Sequence, residues 1–216
     1  MSSDEVIKKT ASFVRKTLEN DNTGHDWWHI ERVYNTAVHI AKKEKANMFV
    51  VELAALLHDI ADWKFHQGDE KAGGRKSREW LASLKVDEEV ITAVCDIVDN
   101  IGFKGGVKNN IKTIEGKVVQ DADRLDAMGA VGISRVFAYG GHKGRPIYNP
   151  EEKAKVYKSF SQYKNASPSS INHFYEKLLL LKDLMNTKTG KKLAKKRHDF
   201  LKVYLKNFFK EWQGKQ

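Results

Sequence analysis

Val50-Val51-Glu52-Leu53-Ala54-Ala55-Leu56-Leu57-His58-Asp59 is apolar at all but one position until it reaches an imidazole beside a carboxylate. A helix that is apolar almost all round is buried on every side, so this run, starting near Asn47, reads as the central helix of the fold. Upstream, Trp27 to Glu44 places Ile30, Val33, Tyr34, Ala37, Ile40 and Ala41 at three-and-four spacing, the mark of a second helix. A first helix fits residues 3–19 through Val6, Ala11, Phe13, Val14 and Leu18, and Asp21, Asn22 and Gly24 break the chain after it. Further helices are predicted near 70–84, 87–99, 111–127, 129–138, 151–160, 169–186 and 189–212. No segment alternates as a half-buried strand does, so the expected fold is all-α, a compact multi-helix bundle.

The rest of the composition fits that class. The chain has 216 residues, 41% hydrophobic and 31% charged, with only three prolines, which excludes fibrous and disordered classes. One domain over residues 1–216 is expected, its core at about 20–140 with a helical extension at about 151–216; two small domains are the alternative. No apolar run approaches the ~20 residues that span a bilayer. The start lacks a basic region followed by an apolar one, so no secretory signal is read and a cytoplasmic location is expected. The single cysteine, Cys95, sits in an apolar period and is expected to be buried and inert.

A net charge of +10 favours anionic partners. Much of it lies in Lys188, Lys191, Lys192, Lys195, Lys196, Arg197, Lys202, Lys206 and Lys210, opposed by Asp199 and Glu211. These residues form either the solvated face of a last helix or a patch for nucleic acid or phosphate. Two glycine-rich basic stretches, Gly102-Phe-Lys-Gly-Gly-Val-Lys and Tyr139-Gly-Gly-His-Lys-Gly-Arg-Pro-Ile-Tyr-Asn-Pro, are either phosphate-contacting lids or plain connections.

Three separated helical segments carry metal-competent side chains. Gly24-His25-Asp26-Trp27-Trp28-His29-Ile30-Glu31-Arg32-Val33 has two histidines four apart, on one face if both are helical. Ala54-Ala55-Leu56-Leu57-His58-Asp59-Ile60-Ala61-Asp62-Trp63-Lys64 ends an apolar helix on adjacent polar groups that need compensation when buried. Val118-Val119-Gln120-Asp121-Ala122-Asp123-Arg124-Leu125-Asp126 adds three carboxylates. A cation would give these groups a reason to converge, since its charge offsets carboxylates that otherwise repel. Adjacent residues point about 100° apart on a helix, so His58 and Asp59 reach one ion only near a helix end or edge-on.

In order and flanking residues the sequence resembles the HD-domain metal-dependent phosphohydrolase superfamily: a His in His-Ile-Glu-Arg-Val, a His-Asp pair closing a long helix, and an Asp in Asp-Ala-Asp-Arg-Leu-Asp. Its stretches Gly-His-Asp-Trp-Trp-His-Ile-Glu-Arg-Val, His-Asp-Ile-Ala-Asp-Trp-Lys and Asp-Ala-Asp-Arg-Leu-Asp-Ala-Met-Gly-Ala-Val-Gly-Ile-Ser-Arg look like the small, stand-alone YpgQ-like branch, over about residues 20–140. The resemblance implies four metal ligands, His29, His58, Asp59 and Asp123, with His25 as the rival for the place of His29. It also implies cleavage of nucleoside or deoxynucleoside triphosphates to monophosphate and pyrophosphate.

A mixed nitrogen and oxygen set suits Mn²⁺, with Fe²⁺, Co²⁺, Ni²⁺ or Mg²⁺ as alternatives; with one thiol in the chain it is unlike a structural zinc site. Asp62, one turn past His58, is expected either to take or steer the proton of the attacking water or to support a ligand. Lys64 and Arg124 are expected to neutralise developing phosphate charge, and His25 and Arg32 to contact substrate, although Arg32 fits an ion pair equally well. His142, Lys143 and Arg145 are candidates for closing over a triphosphate tail. Trp27, Trp28 and Trp63 serve either the core or a nucleobase. The competing functions are a nucleotide phosphomonoesterase, a cyclic-nucleotide phosphodiesterase, and a non-catalytic nucleotide or nucleic-acid binder acting through the basic C-terminal residues.

Overall fold

The structure, a computed structural model, describes residues 1–19, 26–61, 69, 71–102, 111–155 and 168–215. Among these residues nine α-helices and one 3-10 helix occur, with no strand: α1 (Ser3–Thr17), α2 (Trp27–Glu44), α3 (Met48–Leu57), α4 (Ala72–Ser83), α5 (Glu88–Asn100), α6 (Ile114–Asp126), α7 (Gly129–His142), α8 (Ser170–Glu176), the 3-10 helix Leu178–Leu184, and α9 (Lys188–Trp212). The all-α expectation holds. The described residues cluster into two compact units, one within residues 1–102 and 111–123 and the other within residues 124–215, so the division falls inside the α6 helix.

In the first unit α3 packs against α1, α2 and α5. From Val50 to Leu57 every residue except Glu52 is buried. Glu52 is satisfied by the Tyr34 hydroxyl of α2, which donates to its carboxylate at 2.6 Å. Fully burying each leucine of this helix contributes on the order of 1.5–3 kcal/mol, which offsets the cost of drawing a polar turn inward at its end. Asn47 caps α3 by accepting the Val50 N–H at 3.3 Å, while its own N–H donates to Glu115 of α6 at 2.9 Å. At the other end of this unit the Gln120 amide donates to the Ile101 carbonyl, just past α5, at 3.2 Å. These two bonds hold the first two turns of α6. Cys95 is buried, and burial pushes its thiol up from the usual range, as an inert cysteine requires.

The second unit departs from the predicted elements in three places. The Gly140-Gly141 pair does not start a loop; α7 runs on to His142. A Cβ at Gly140 would lie 2.3 Å from the Ser170 hydroxyl oxygen, so this glycine serves close packing. The helix expected over 169–186 breaks at Lys177 and continues as a 3-10 helix. Leu178 and Leu181 are buried while Leu180 is exposed, and three residues per turn is the pitch that aligns positions 178 and 181. Of the helix expected near 151–160, residues 151–155 are not helical and the remainder lies outside the described residues.

Gly132 gives a direct packing test. A Cβ there would lie 2.3 Å from the Ala127 carbonyl oxygen and 2.4 Å from its carbon, and backbone cannot swing aside. Gly132→Ala is expected to cost about 2–3 kcal/mol, or roughly 5–10 °C in Tm by calorimetry. Gly141, with nothing within 4 Å of its added Cβ, is the control: Gly141→Ala is expected to be neutral or stabilising.

His173 of α8 gives a second test. Burial, with the charges of Lys177 and Arg145 added, pushes its imidazole down to about 3 from an ordinary 6.5. The folded chain holds it neutral, whereas the unfolded chain protonates it near 6.5, so its contribution is complete above that pH and is lost as pH falls toward 3. Stability from denaturant titrations is expected to fall by a few kcal/mol across that window, and His173→Gln to flatten the fall.

Candidate metal centre

The N-terminus of α2 and the C-terminus of α3 each present one imidazole. Asp26 caps α2, accepting the backbone N–H of His29 at 2.8 Å, and so fixes the turn from which His29 projects. The α3 helix ends at Leu57, which leaves His58 and Asp59 in the turn beyond it. His58 keeps helical backbone angles as the C-cap, and at this helix end the adjacent pair can aim at one point: His58 Nε2 and Asp59 Oδ2 are 3.6 Å apart. Asp123 comes from the third turn of α6.

These side chains converge. His29 Nε2 lies 3.2 Å from His58 Nε2, 3.3 Å from Asp59 Oδ2 and 3.6 Å from Asp123 Oδ1; His58 Nε2 lies 3.9 Å from Asp123 Oδ1. Ligand atoms of His29, His58 and Asp59 all fall within 4.8 Å of one another. Both histidines are buried, while Asp59 and Asp123 keep 19% and 32% of their side-chain surface exposed, so the cluster opens to solvent on its carboxylate side.

The Nδ1–H of His58 donates to the Ala55 carbonyl at 2.9 Å, a bond that assigns the proton to that nitrogen and leaves Nε2 with its lone pair. One proton shared between the two imidazoles would join those nitrogens and still leave two carboxylates converging on them. A divalent cation would satisfy His29, His58 and Asp59, whose ligand atoms form one cluster, with the Asp123 carboxylate beside the two imidazoles. With ligand bonds of about 2.0–2.2 Å, neighbouring donors stand about 3 Å apart at a right angle and nearly 4 Å apart at wider angles, and the 3.2, 3.3 and 3.6 Å separations among His29, His58 and Asp59 fall in that range. Two nitrogens and two carboxylates, with no thiol, are a donor set that fits such an ion.

Arg32, one turn after His29, is partly buried. His25, Asp62 and Lys64 lie outside the described residues. In the second unit, the Arg124 guanidinium donates to the Leu184 carbonyl. His142 is exposed at the end of α7; Lys143 Nζ and Arg145 Cζ stand 5.7 and 5.4 Å from the centroid of the Tyr139 ring. Sequence inspection passed over Asp26 and Ala55. An Asp directly before the first helical residue was a usable sign of a cap, but nothing in the sequence marks one carbonyl among many.

Comparison with known proteins agrees with the geometry. The HD domain family matches residues 27–128, the span that carries all four converging side chains. The chain belongs to the HD-domain superfamily and is a metal-dependent phosphohydrolase. Within it, the chain is 38% identical over 205 residues to the uncharacterized protein YpgQ of Bacillus subtilis, covering 94% of this chain and 92% of that one. An HD-superfamily hydrolase from Bacillus thuringiensis has 45% identity and a TM-score of 0.76, covering 98% of this chain and 99% of that one. The crystal structure of YpgQ in complex with ADP has a TM-score of 0.74 at 34% identity, over 95% of this chain and 97% of that one. No described helix is long and apolar enough to cross a membrane.

Proposed function

We propose that this chain cleaves nucleoside or deoxynucleoside triphosphates to a monophosphate and pyrophosphate, with Mn²⁺ held by His29, His58, Asp59 and Asp123. The observation that carries the proposal is the cluster of two buried imidazoles and the Asp59 carboxylate, their ligand atoms within 4.8 Å of one another, with Asp123 Oδ1 at 3.6 and 3.9 Å from the two imidazoles. The crystallisation of YpgQ with ADP supports a nucleotide as the phosphate compound. When bound, a divalent cation supplies Lewis-acid polarisation of a phosphoryl oxygen and acidifies water. Fe²⁺, Co²⁺, Ni²⁺ and Mg²⁺ are compatible with the same donors.

The chain's own residues do the rest. The Ala55 carbonyl holds His58 in the tautomer that presents a lone pair, and the Asp26 cap holds the backbone of His29. Asp59 and Asp123 leave the open side to substrate. Asp62, one turn past His58 in sequence, is assigned to take the proton of the attacking water, and Lys64 to stand against the phosphate charge. A cation, with no nucleophilic side chain, suffices for direct attack by water, so no covalent intermediate is required.

The test is a rate comparison on Mn²⁺-supplemented enzyme across nucleoside triphosphates, monophosphates and cyclic nucleotides. Triphosphates are expected to turn over and the other two classes to lag by at least an order of magnitude. Preferential turnover of monophosphates or of cyclic nucleotides overturns the proposal.

A further inference from the structure

The nine basic residues between Lys188 and Lys210 suggested, in sequence, a solvated face or a patch for polyanions. One of them behaves otherwise. Arg197 of α9 is only partly exposed, and its guanidinium donates to the carbonyl of Leu125 in the last turn of α6. The last carbonyls of a helix have no partner within it, and a cation there also meets the negative end of the helix dipole. The aliphatic stem of Arg197 crosses Gly129: a Cβ added at residue 129 would lie 3.1 Å from its Cγ and 3.3 Å from its Cβ. Gly129 has φ +72°, so glycine is required there both by the backbone and by the arginine passing over it.

Two more guanidinium groups act on the same turn. Arg124 donates to the Leu184 carbonyl, and Arg135 pairs with Asp126, whose side chain is 5% exposed. Residues 124, 125 and 126 are thus each tied down through an arginine, directly after Asp123 on a helix that is continuous from Ile114 to Asp126. Of the three arginines, Arg197 comes from farthest along the chain. Burial lowers the affinity of its guanidinium for its proton, and the charge of Asp126 opposes that shift.

We infer that Arg197 is a positioning residue for Asp123: by capping the Leu125 carbonyl it sets the height and rotation of the last turn of α6, and with them the place of the Asp123 carboxylate in the metal centre. This rests on the proposed role of Asp123 as a ligand. One residue of the basic helix is thereby assigned to the metal centre rather than to a polyanion.

The experiment is calorimetric titration of Mn²⁺ into the metal-stripped full chain, for wild type, Arg197→Ala, Arg197→Lys, Asp123→Asn and the double variant Asp123→Asn/Arg197→Ala, each checked by circular dichroism. Arg197→Ala is expected to weaken Mn²⁺ binding by about tenfold, as loss of a group that orients a ligand does. Arg197→Lys, which can still donate to the carbonyl, is expected to recover most of it. In the Asp123→Asn background the arginine effect is expected to vanish, because two residues that act through one contact are not additive. Unchanged Mn²⁺ affinity in Arg197→Ala, or an undiminished loss in the double variant, overturns the inference. If Arg197→Ala fails to fold, Arg197→Lys decides: affinity near that of wild type supports the carbonyl cap, and a full tenfold loss in a folded protein contradicts it. An Asp123→Asn variant with wild-type affinity removes Asp123 from the metal site, a failure of the ligand assignment recognisable apart from any result at Arg197.

Discussion

Asp59→Ala is expected to lower kcat/KM on triphosphates by on the order of 10³-fold or more while leaving the fold intact. Lewis-acid stabilisation by a metal is worth several kcal/mol of transition-state energy, and each ~1.4 kcal/mol is a factor of ten in rate. Asp59 sits in the turn after α3 and its carboxylate touches both imidazoles, so its removal strips the centre of charge. Its side chain is 19% exposed, and without metal its loss removes one of the two carboxylate charges beside the imidazoles. Thermal stability of the metal-free variant is therefore expected to match or exceed wild type. His58→Ala is expected to lose as much activity but also stability, because His58 is buried and bonded to Ala55. Steady-state kinetics with Mn²⁺, beside melting curves, separates the two effects. A kcat/KM within tenfold of wild type for Asp59→Ala contradicts the assignment.

Metal removal is expected to have the second large effect. A ligand that binds only the folded state stabilises it by about 2.7 kcal/mol at a hundred times its Kd. For a chain of this size that corresponds to roughly 5–10 °C in Tm. Chelation is expected to lower the melting temperature by that amount and abolish turnover, and added Mn²⁺ to restore both. The same Mn²⁺ addition to Asp59→Ala is expected to produce no shift at that concentration. An equal shift in the variant would place the ion elsewhere; no shift in wild type would deny the site altogether.

The parts of this molecule legible in its sequence are those governed by local periodicity. The α2 helix was read with its bounds because its apolar stripe is regular, and α3 because a run with one polar residue has few other places to go. The convergence of His29, His58, Asp59 and Asp123 was not contained in periodicity; it came from a resemblance, and the geometry supplies its reason, namely that α3 stops at Leu57 and releases His58 and Asp59 into a turn. What escaped the sequence depends on contacts between distant residues. Gly140 looked like a loop residue because a helical glycine needed only to avoid Ser170 is indistinguishable from one needed for a turn. The switch at Lys177 has no proline or glycine to announce it and follows from which leucines the second unit buries. Arg197 looked like one charge among nine until the Leu125 carbonyl gave it a partner.

The central claim is that the centre built by His29, His58, Asp59 and Asp123 directs water to a triphosphate so that pyrophosphate leaves intact. Its most direct measurement is product analysis of a triphosphate turned over by the Mn²⁺-loaded enzyme in ¹⁸O-labelled water, with chromatography and mass spectrometry of both products. Monophosphate and pyrophosphate in equal amounts, with the label in one of them and none in orthophosphate, is the expected result. Labelled orthophosphate released together with a nucleoside diphosphate would contradict it.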